Sequence, residues 1–129
     1  MILNTALTCL ALNIYHEARS EPLYSQVAVA QVTLNRVSNP NYPSTVCDVV
    51  TQKHQFSWYW DGLPDRPLEP TAWLRSVALA DLILEADISV DCVESSTHYH
   101  ADYVKPYWSK VFEKTCQLGK HIFYKERKA

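Results

Sequence analysis

The strongest constraint on the fold is a pair of helical apolar stripes with one proline between them. The first stripe repeats at spacings of four, three and four residues, which keeps its side chains on one helix face. Its members are Leu3, Leu7, Leu10 and Ile14. The second stripe follows the same period over residues 23–37, and Pro22 interrupts the pattern between the two. The sequence therefore predicts one helix over about 4–19 and another over 23–37.

The rest of the chain predicts short helices and short strands. A third long helix is expected over about 71–86 and a short one over about 45–52, for which Ser44 offers a capping hydroxyl. The other expected elements are a strand over 55–60 that turns at Asp61-Gly62, a strand over 97–101, a helix from 105 to near Gly119, and a strand over 121–124. We therefore predict an α+β fold, with helices first and a small antiparallel sheet built from the later segments.

Length and charge limit the function classes. A chain of 129 residues is the size of one domain, so we take 1–129 as a single domain. The formal net charge is -2, and the sequence has no basic stripe of the kind that binds nucleic acid. No apolar stretch is long enough to span a membrane, and no basic residue precedes the apolar start of the chain, as a signal peptide would require. We therefore expect no nucleic-acid partner, no membrane insertion and no signal peptide.

The cysteines give little functional information. They are Cys9, Cys47, Cys92 and Cys116, and no two of them form a C-x-x-C pair. Zinc-ribbon and thioredoxin-type motifs are therefore excluded. Since nothing marks the chain as a small disulfide scaffold, we expect four buried free thiols, because free cysteine behaves as a small hydrophobic residue.

Glu17 continues the first apolar stripe, three residues after Ile14. A carboxyl group at the end of a buried face is desolvated, which raises its pKa and lets it keep a proton near neutral pH. Cleavage of a glycosidic bond needs such an acid to protonate the leaving oxygen. The alternative is structural, namely an ion pair with Arg19 or a partly exposed glutamate at a helix end.

Two later segments combine aromatic and polar side chains. Alternation on a strand over 55–60 sends Phe56, Trp58 and Trp60 to one face and Gln55, Ser57 and Tyr59 to the other. One face would fill the core while the other meets a ligand, and simple hydrophobic packing is the alternative. His98 and His100 would share a face of their own strand, and H-x-H is a common metal pair. No third ligand stands at a recognised spacing, so we expect no metal and no cofactor.

Together, these segments resemble the SleB/CwlJ family of cell wall hydrolases, the spore-cortex-lytic enzymes and their phage relatives. The resemblance follows the family's order over nearly the whole chain. The matching segments are CLALNIYHEAR (9–19), QVAVAQV (26–32), LNRV (34–37), VCDVV (46–50), QFSW (55–58), THYH (97–100) and GKHIFY (119–124). Ser20 stands where the family commonly has glycine, and Ser95-Ser96 stand where it often has Gly-Ala. These departures put the loop shapes in doubt, not Glu17.

The resemblance implies a lysozyme-like helical core with the small antiparallel sheet lining one side of a cleft. It implies that Glu17 is the single catalytic acid/base, and that the MurNAc–GlcNAc bonds of peptidoglycan glycan strands are cleaved to give 1,6-anhydromuramoyl ends. Because the sequence shows no wall-binding domain, it resembles either a phage or prophage lysin, made in the cytoplasm and acting on the cell wall, or a trimmed catalytic domain. We expect a monomer. We expect the sugar contacts to come from the two polar strands and nearby aromatic side chains: Gln55, Ser57, Trp58, His98, Tyr99, His100 and Tyr103.

Three alternatives stay open at this point. A hydrolytic muramidase of the lysozyme type would use Asp61 or Asp102 as a second carboxylate. A catalytically silent glycan-binding module would use the aromatic strand. A zinc-dependent amidase or peptidase would use His98 and His100, and it would lose activity in EDTA.

Overall fold

A computed structural model of the chain describes residues 5–52 and 67–126. Its helices are α1 (Ala6–Ala18), α2 (Leu23–Val37), α3 (Val46–Val50) and α4 (Pro70–Ala86). Its strands are β1 (His98–Ala101), β2 (Glu113–Leu118) and β3 (His121–Lys125), and short 3₁₀ turns lie at Asp91–Val93 and Tyr107–Lys110. The predicted α+β class, with helices first and a small antiparallel sheet after them, is confirmed. The expected strand over 55–60 lies outside the described residues. None of the described helices combines the length and the apolarity needed to cross a lipid bilayer.

Helix α1 is the centre of the molecule. The Thr5 hydroxyl caps its first turn by accepting a hydrogen bond from the backbone N–H of Thr8 at 3.1 Å. Every residue from Cys9 to Tyr15 is buried, because α2, α3 and α4 all pack against this helix. The single stripe predicted from the sequence was therefore too narrow, since a helix packed on several sides has no polar face.

The sheet has the strand order β1-β3-β2, with both pairings antiparallel. Phe123 of the central strand is fully buried and packs with Val29 and Val32 of α2, which docks the sheet onto the helical core. On β1, Tyr99 pairs with Phe123, while His98 pairs with Tyr124. Because side chains alternate along a strand, Tyr99 and the two flanking histidines point to opposite faces.

The helix predicted from residue 105 to near Gly119 is wrong. The segment instead forms a 3₁₀ turn at Tyr107–Lys110 and then strand β2, and Gly119 sits in the turn of the β2–β3 hairpin with φ +56°. A glycine with positive φ suits both a helix C-cap and a tight hairpin, so the residue alone did not separate the two. The predicted cap of α3 is also displaced by one residue, because Thr45 rather than Ser44 accepts from Asp48 N.

The prediction of four free thiols is wrong as well. Cys9 of α1 is bonded to Cys47 of α3 with a Cα–Cα distance of 5.2 Å. Cys92 is bonded to Cys116 of β2 with a Cα–Cα distance of 5.9 Å. The partners are 38 and 24 residues apart in sequence, so their proximity is a product of tertiary packing that sequence spacing does not reveal.

Candidate active site

Glu17 lies in the last turn of α1 and is partly buried. It lines a cavity of about 410 Å³ together with residues from the end of α1 and the start of α4. The other lining residues are His16, Ala18, Arg19, Ser20, Glu69, Ala72 and Arg75. Burial raises the pKa of Glu17, against the lowering effects of a hydrogen bond from Tyr99 and of the Arg36 charge. A carboxyl group in this setting keeps its proton to higher pH than an exposed glutamate does.

Tyr99 connects the sheet to Glu17. Its hydroxyl donates a hydrogen bond of 2.5 Å to Glu17 Oε1, from a strand 82 residues further along the chain. The Tyr99 ring packs edge-on to His121 at 5.2 Å and beside Phe123 at 5.6 Å, so the hydroxyl is held by the packing of β3. Burial, followed by the charge of Glu17, raises the pKa of Tyr99 well above its usual value. Tyr99 therefore stays protonated and acts as a hydrogen-bond donor to the carboxylate.

Arg36, in the last turn of α2, supplies the buried positive charge near Glu17. Its residue is 4% exposed, and its Nε donates to the Thr97 carbonyl at 2.7 Å. The guanidinium also lies over the Tyr42 ring, 5.3 Å from the ring centroid. The Arg36 charge lowers the pKa of Glu17, so it opposes the effect of burial.

The structural alternative for Glu17, an ion pair with Arg19, is not what the structure shows. Arg19 Nε binds the Glu69 carboxylate, and the Arg19 guanidinium lies 4.6 Å from the centroid of the Tyr15 ring. The Tyr15 hydroxyl accepts hydrogen bonds from the backbone N–H groups of Leu68 and Glu69 at 3.1 and 3.0 Å. Tyr15 and Arg19 thus hold the chain that enters α4 against the end of α1, which forms one wall of the cavity.

The predicted substrate contacts divide into four groups. Tyr99 reaches Glu17, as described above. His98 and His100 do not, because they lie on the other face of β1 in an aromatic cluster with Trp108, whose ring is 5.0 Å from His98 and 5.6 Å from His100. Tyr103 follows the strand and is 81% exposed. Gln55, Ser57 and Trp58 lie outside the described residues.

The residues of the alternative mechanisms can be placed in the same way. A hydrogen bond of 3.0 Å joins the Thr97 hydroxyl to His98 Nδ1, and another of 3.0 Å joins the Tyr124 hydroxyl to His100 Nε2. Both histidine side chains are therefore held by other groups of the protein. In residues 5–52 and 67–126, no three histidine, cysteine, aspartate or glutamate residues are grouped so as to hold a metal ion. Asp102 is exposed and follows the end of β1, where its backbone N–H donates to Lys120 O at 2.8 Å. Asp61 lies outside the described residues.

Three polar residues around this site were missed from the sequence: Arg36, whose charge acts on Glu17; Glu69, which lines the same cavity; and Asn13, which hydrogen-bonds with Tyr99. Arg36 and Asn13 lie within predicted helices, where a fully buried polar side chain is the useful signal because it requires a partner. Asn13 is fully buried, and its Oδ1 accepts from the Thr33 hydroxyl at 2.7 Å. Glu69 gave no such signal, because its contact with Arg19 forms only where the chain before α4 returns to the end of α1.

Comparison with known proteins identifies the family. A family model described as "Cell Wall Hydrolase" matches residues 20–124, a range that begins three residues after Glu17. The spore cortex-lytic enzyme of Oceanobacillus iheyensis is 36% identical over 112 residues, which are 87% of this chain and 38% of that protein. The spore cortex-lytic enzyme of Bacillus subtilis is 31% identical over 121 residues, which are 93% of this chain and 37% of that protein. The chain thus spans a little over a third of the length of these relatives.

Solved structures agree with the sequence comparisons. The catalytic domain of the germination-specific lytic transglycosylase SleB from Bacillus anthracis is 30% identical, with a TM-score of 0.74 over 93% of this chain and 93% of that chain. The catalytic domain of the Bacillus cereus SleB protein is 29% identical, with a TM-score of 0.71 over 93% of this chain and 89% of that chain. The fold and the resemblance stated from sequence are both confirmed, and the chain belongs to the cell wall hydrolase family.

Proposed function

We propose that this chain degrades peptidoglycan as a lytic transglycosylase, with Glu17 as its single catalytic acid/base. The observation that carries the proposal is Glu17 itself, a glutamate whose pKa is raised by burial and which lines a cavity beside a tyrosine donor. The name of one structural neighbour, a germination-specific lytic transglycosylase, supports the choice of chemistry. The Glu69 carboxylate in the same cavity is bound to Arg19, which leaves Glu17 as the better acid.

The reaction requires one proton to leave Glu17 and one to return. Protonated Glu17 donates to the glycosidic oxygen, the bond to C1 of the muramic acid breaks, and the leaving sugar takes the new hydroxyl. The acetamido group of the substrate stabilises the positive charge at C1. The Glu17 carboxylate then removes the proton from the muramic-acid 6-hydroxyl, whose oxygen bonds to C1 and closes the 1,6-anhydro ring. Glu17 ends protonated, as it began.

Tyr99 orients Glu17 for both proton transfers. Its hydroxyl donates a hydrogen bond to Glu17 Oε1, so Glu17 Oε2 is the oxygen that faces the substrate in this proposal. A carboxyl held at one oxygen loses the rotational freedom that would otherwise misplace its proton, and alignment of this kind is a large part of catalytic rate enhancement. We also propose that Gln55, Ser57 and Trp58 contact the sugar. Residues 1–129 are proposed to form a single catalytic domain.

The test is a pair of matched substitutions assayed on purified peptidoglycan. Glu17→Gln keeps the shape of the side chain but cannot transfer a proton, so the lytic rate should fall by roughly 10²–10⁴-fold. Glu85→Gln makes the same chemical change at an exposed position on α4 and should keep the wild-type rate. Substantial lysis by Glu17→Gln would remove Glu17 from the mechanism.

Mass spectrometry of the released muropeptides decides the reaction type. A transglycosylase product is lighter by one water than the product of a hydrolytic muramidase. If all glycan fragments carry a reducing muramic acid, the enzyme is a hydrolytic muramidase and not a transglycosylase. Glu17 would still be the proposed acid. Binding to sacculi without release of any fragment would favour a silent glycan-binding module.

A further inference from the structure

The polar cluster behind Glu17, on the side of Arg36, takes no part in the mechanism described above. Glu126 Oε1 accepts hydrogen bonds from the Tyr42 hydroxyl at 2.6 Å and from the Thr97 hydroxyl at 3.2 Å. Arg36 binds the carbonyl of the same Thr97 and lies over the ring of the same Tyr42. Arg36 is thus buried against the two residues that hold Glu126, a carboxylate whose side chain is 37% exposed, and its charge also acts on Glu17.

We propose that Arg36 is a positioning residue whose single buried charge is shared between Glu17 and Glu126, and that Glu126 with Tyr42 sets how strongly this charge stabilises the Glu17 carboxylate. The inference rests on the proposed function, in which Glu17 alternates between acid and carboxylate. No contact between Glu126 and substrate is involved.

The argument begins from the cost of burying a guanidinium. A charged group removed from water is tolerated only with a counter-charge and satisfied hydrogen bonds. Before the reaction Glu17 must hold its proton and is neutral, so of the two carboxyl groups in the described residues that act on Arg36, Glu126 is the one that carries a negative charge. Once Glu17 has donated its proton, Arg36 faces a second anion, and a fixed cation at that place stabilises the charge that develops in the transition state.

The electrostatic causes of the pKa shifts agree with this geometry. Burial lowers the pKa of Arg36, and the acidic groups of Tyr42, Tyr99, Glu126 and Glu17 raise it. Burial raises the pKa of both tyrosines, so the carboxyl groups are the ones that can carry charge near neutral pH. Arginine nevertheless remains protonated in proteins. The Arg36 charge in turn lowers the pKa of Glu17. If a neutral side chain replaced the Glu126 carboxylate, less of the Arg36 charge would be compensated. The Arg36 charge would then lower the pKa of Glu17 further.

Other charged groups near Glu17 do not duplicate this role. On α1 and at the start of α4, Arg19 and Glu69 neutralise each other, with side chains 37% and 59% exposed. His16 and Arg75 line the cavity, and Arg75 is exposed. On β1, Tyr99 is a neutral donor, and His98, which also faces Arg36 and Glu126, is uncharged near neutral pH because its pKa is lowered to about 4.

Glu126→Gln tests the proposal, with Glu85→Gln as the control of equal net charge. The ionisation of Glu17 is followed by carbon NMR of protein labelled at the glutamate carboxyl carbons, and the missing signal of Glu17→Gln gives the assignment. The midpoint for Glu17 should move to lower pH in Glu126→Gln and stay at the wild-type value in Glu85→Gln. At one pH unit above the wild-type midpoint, the lytic rate of Glu126→Gln should be lower by roughly two- to five-fold.

Tyr42→Phe provides a graded second variant. It removes the hydroxyl that holds Glu126 but keeps the ring under Arg36, so the midpoint should move in the same direction by a smaller amount. Thermal melting of every variant checks that it is folded. The proposal is overturned if Glu126→Gln moves the Glu17 midpoint no further than Glu85→Gln does, or moves it upwards. Failure of the proposed function is a different result, namely lysis by Glu17→Gln.

Discussion

His98 should make the protein less stable in mild acid. The side chain is 18% exposed and packs against Trp108 and Phe112, with ring centroids 5.0 and 4.7 Å away. Burial, reinforced by the Arg36 charge and opposed by Glu126, lowers the pKa of His98 from 6.5 to about 4. The unfolded chain therefore binds a proton on this residue at a pH where the folded chain does not.

The size and sign follow from proton linkage. The stability contributed by neutral His98 is fully present above pH 6.5 and is lost progressively as the pH falls to about 4. A shift of about 2.5 pH units at 1.36 kcal/mol per unit corresponds to about 3 kcal/mol. Glu17 acts in the opposite sense, because its raised pKa means that its ionisation costs stability as the pH rises. The total pH profile therefore mixes the two effects, and a difference between variants is needed.

Urea unfolding of wild type, His98→Phe and His98→Gln at pH 7.5, 5.5 and 4 isolates the histidine. Each variant loses a fixed amount of packing energy that does not depend on pH. Between pH 7.5 and pH 4, the unfolding free energy of the wild type should fall by about 3 kcal/mol more than that of either variant. The difference should be the same for both substitutions. A difference that stays constant across this range would show that His98 is protonated as easily in the folded protein as in the unfolded one.

Three further predictions concern stability. Glu17→Gln should melt at a higher temperature than wild type near neutral pH, and calorimetry should show the gain vanish below about pH 4, because only an ionised Glu17 is destabilising. Replacing Cys9 and Cys47 by alanine opens a link of 38 residues and should cost about 4 kcal/mol in urea unfolding, whereas an unchanged midpoint would contradict the bond. Gly119→Ala should cost about 1–2 kcal/mol in the same assay, because its φ is +56° and its new methyl group would lie 2.8 Å from a Glu21 carboxylate oxygen; equal stability would show that the hairpin turn adapts.

The long helices were predictable because their signals are local. Helix α2 begins at Leu23 and ends at Val37, as its period and the preceding proline predicted. Helix α4 begins one residue before the predicted 71 and ends as predicted at Ala86. In both cases the apolar period covers several turns, and a few misplaced residues do not change the result.

Strand β2 and the disulfides were not predictable, since both depend on contacts distant in sequence. Three of the six residues of segment 113–118 are exposed, none is buried, and the segment carries no apolar alternation; it is a strand because β3 pairs with it. In the same way, Cys92 and Cys116 meet only after β2 has docked beside the 3₁₀ turn at Asp91–Val93. Neither partner of a bond of this kind has a local sequence signature.

The same difference between local and distant contacts explains which residues of the candidate site could be predicted. The partly buried setting of Glu17 could be predicted because its own helix sets the environment, whereas Tyr99 could be assigned only to a strand. Its direction relative to His98 and His100 follows from alternation, which makes a common face for all three impossible. Arg36 was missed because its importance depends on what lies beyond α2, namely the carbonyl of Thr97 and the carboxyl of Glu17.

Glu17, the proposed acid on α1, depends on the sheet for its proton affinity. Burial within the helical core alone would hold Glu17 in its protonated form and disfavour the second half of the proposed reaction, in which the carboxylate must form and then accept a proton. The two groups that favour the carboxylate are the Tyr99 hydroxyl and the Arg36 guanidinium. Tyr99 comes from β1, and Arg36 is oriented by the carbonyl of Thr97, the residue before β1. Docking of one short strand therefore supplies both, so the same contact that completes the fold also balances the proton affinity of Glu17.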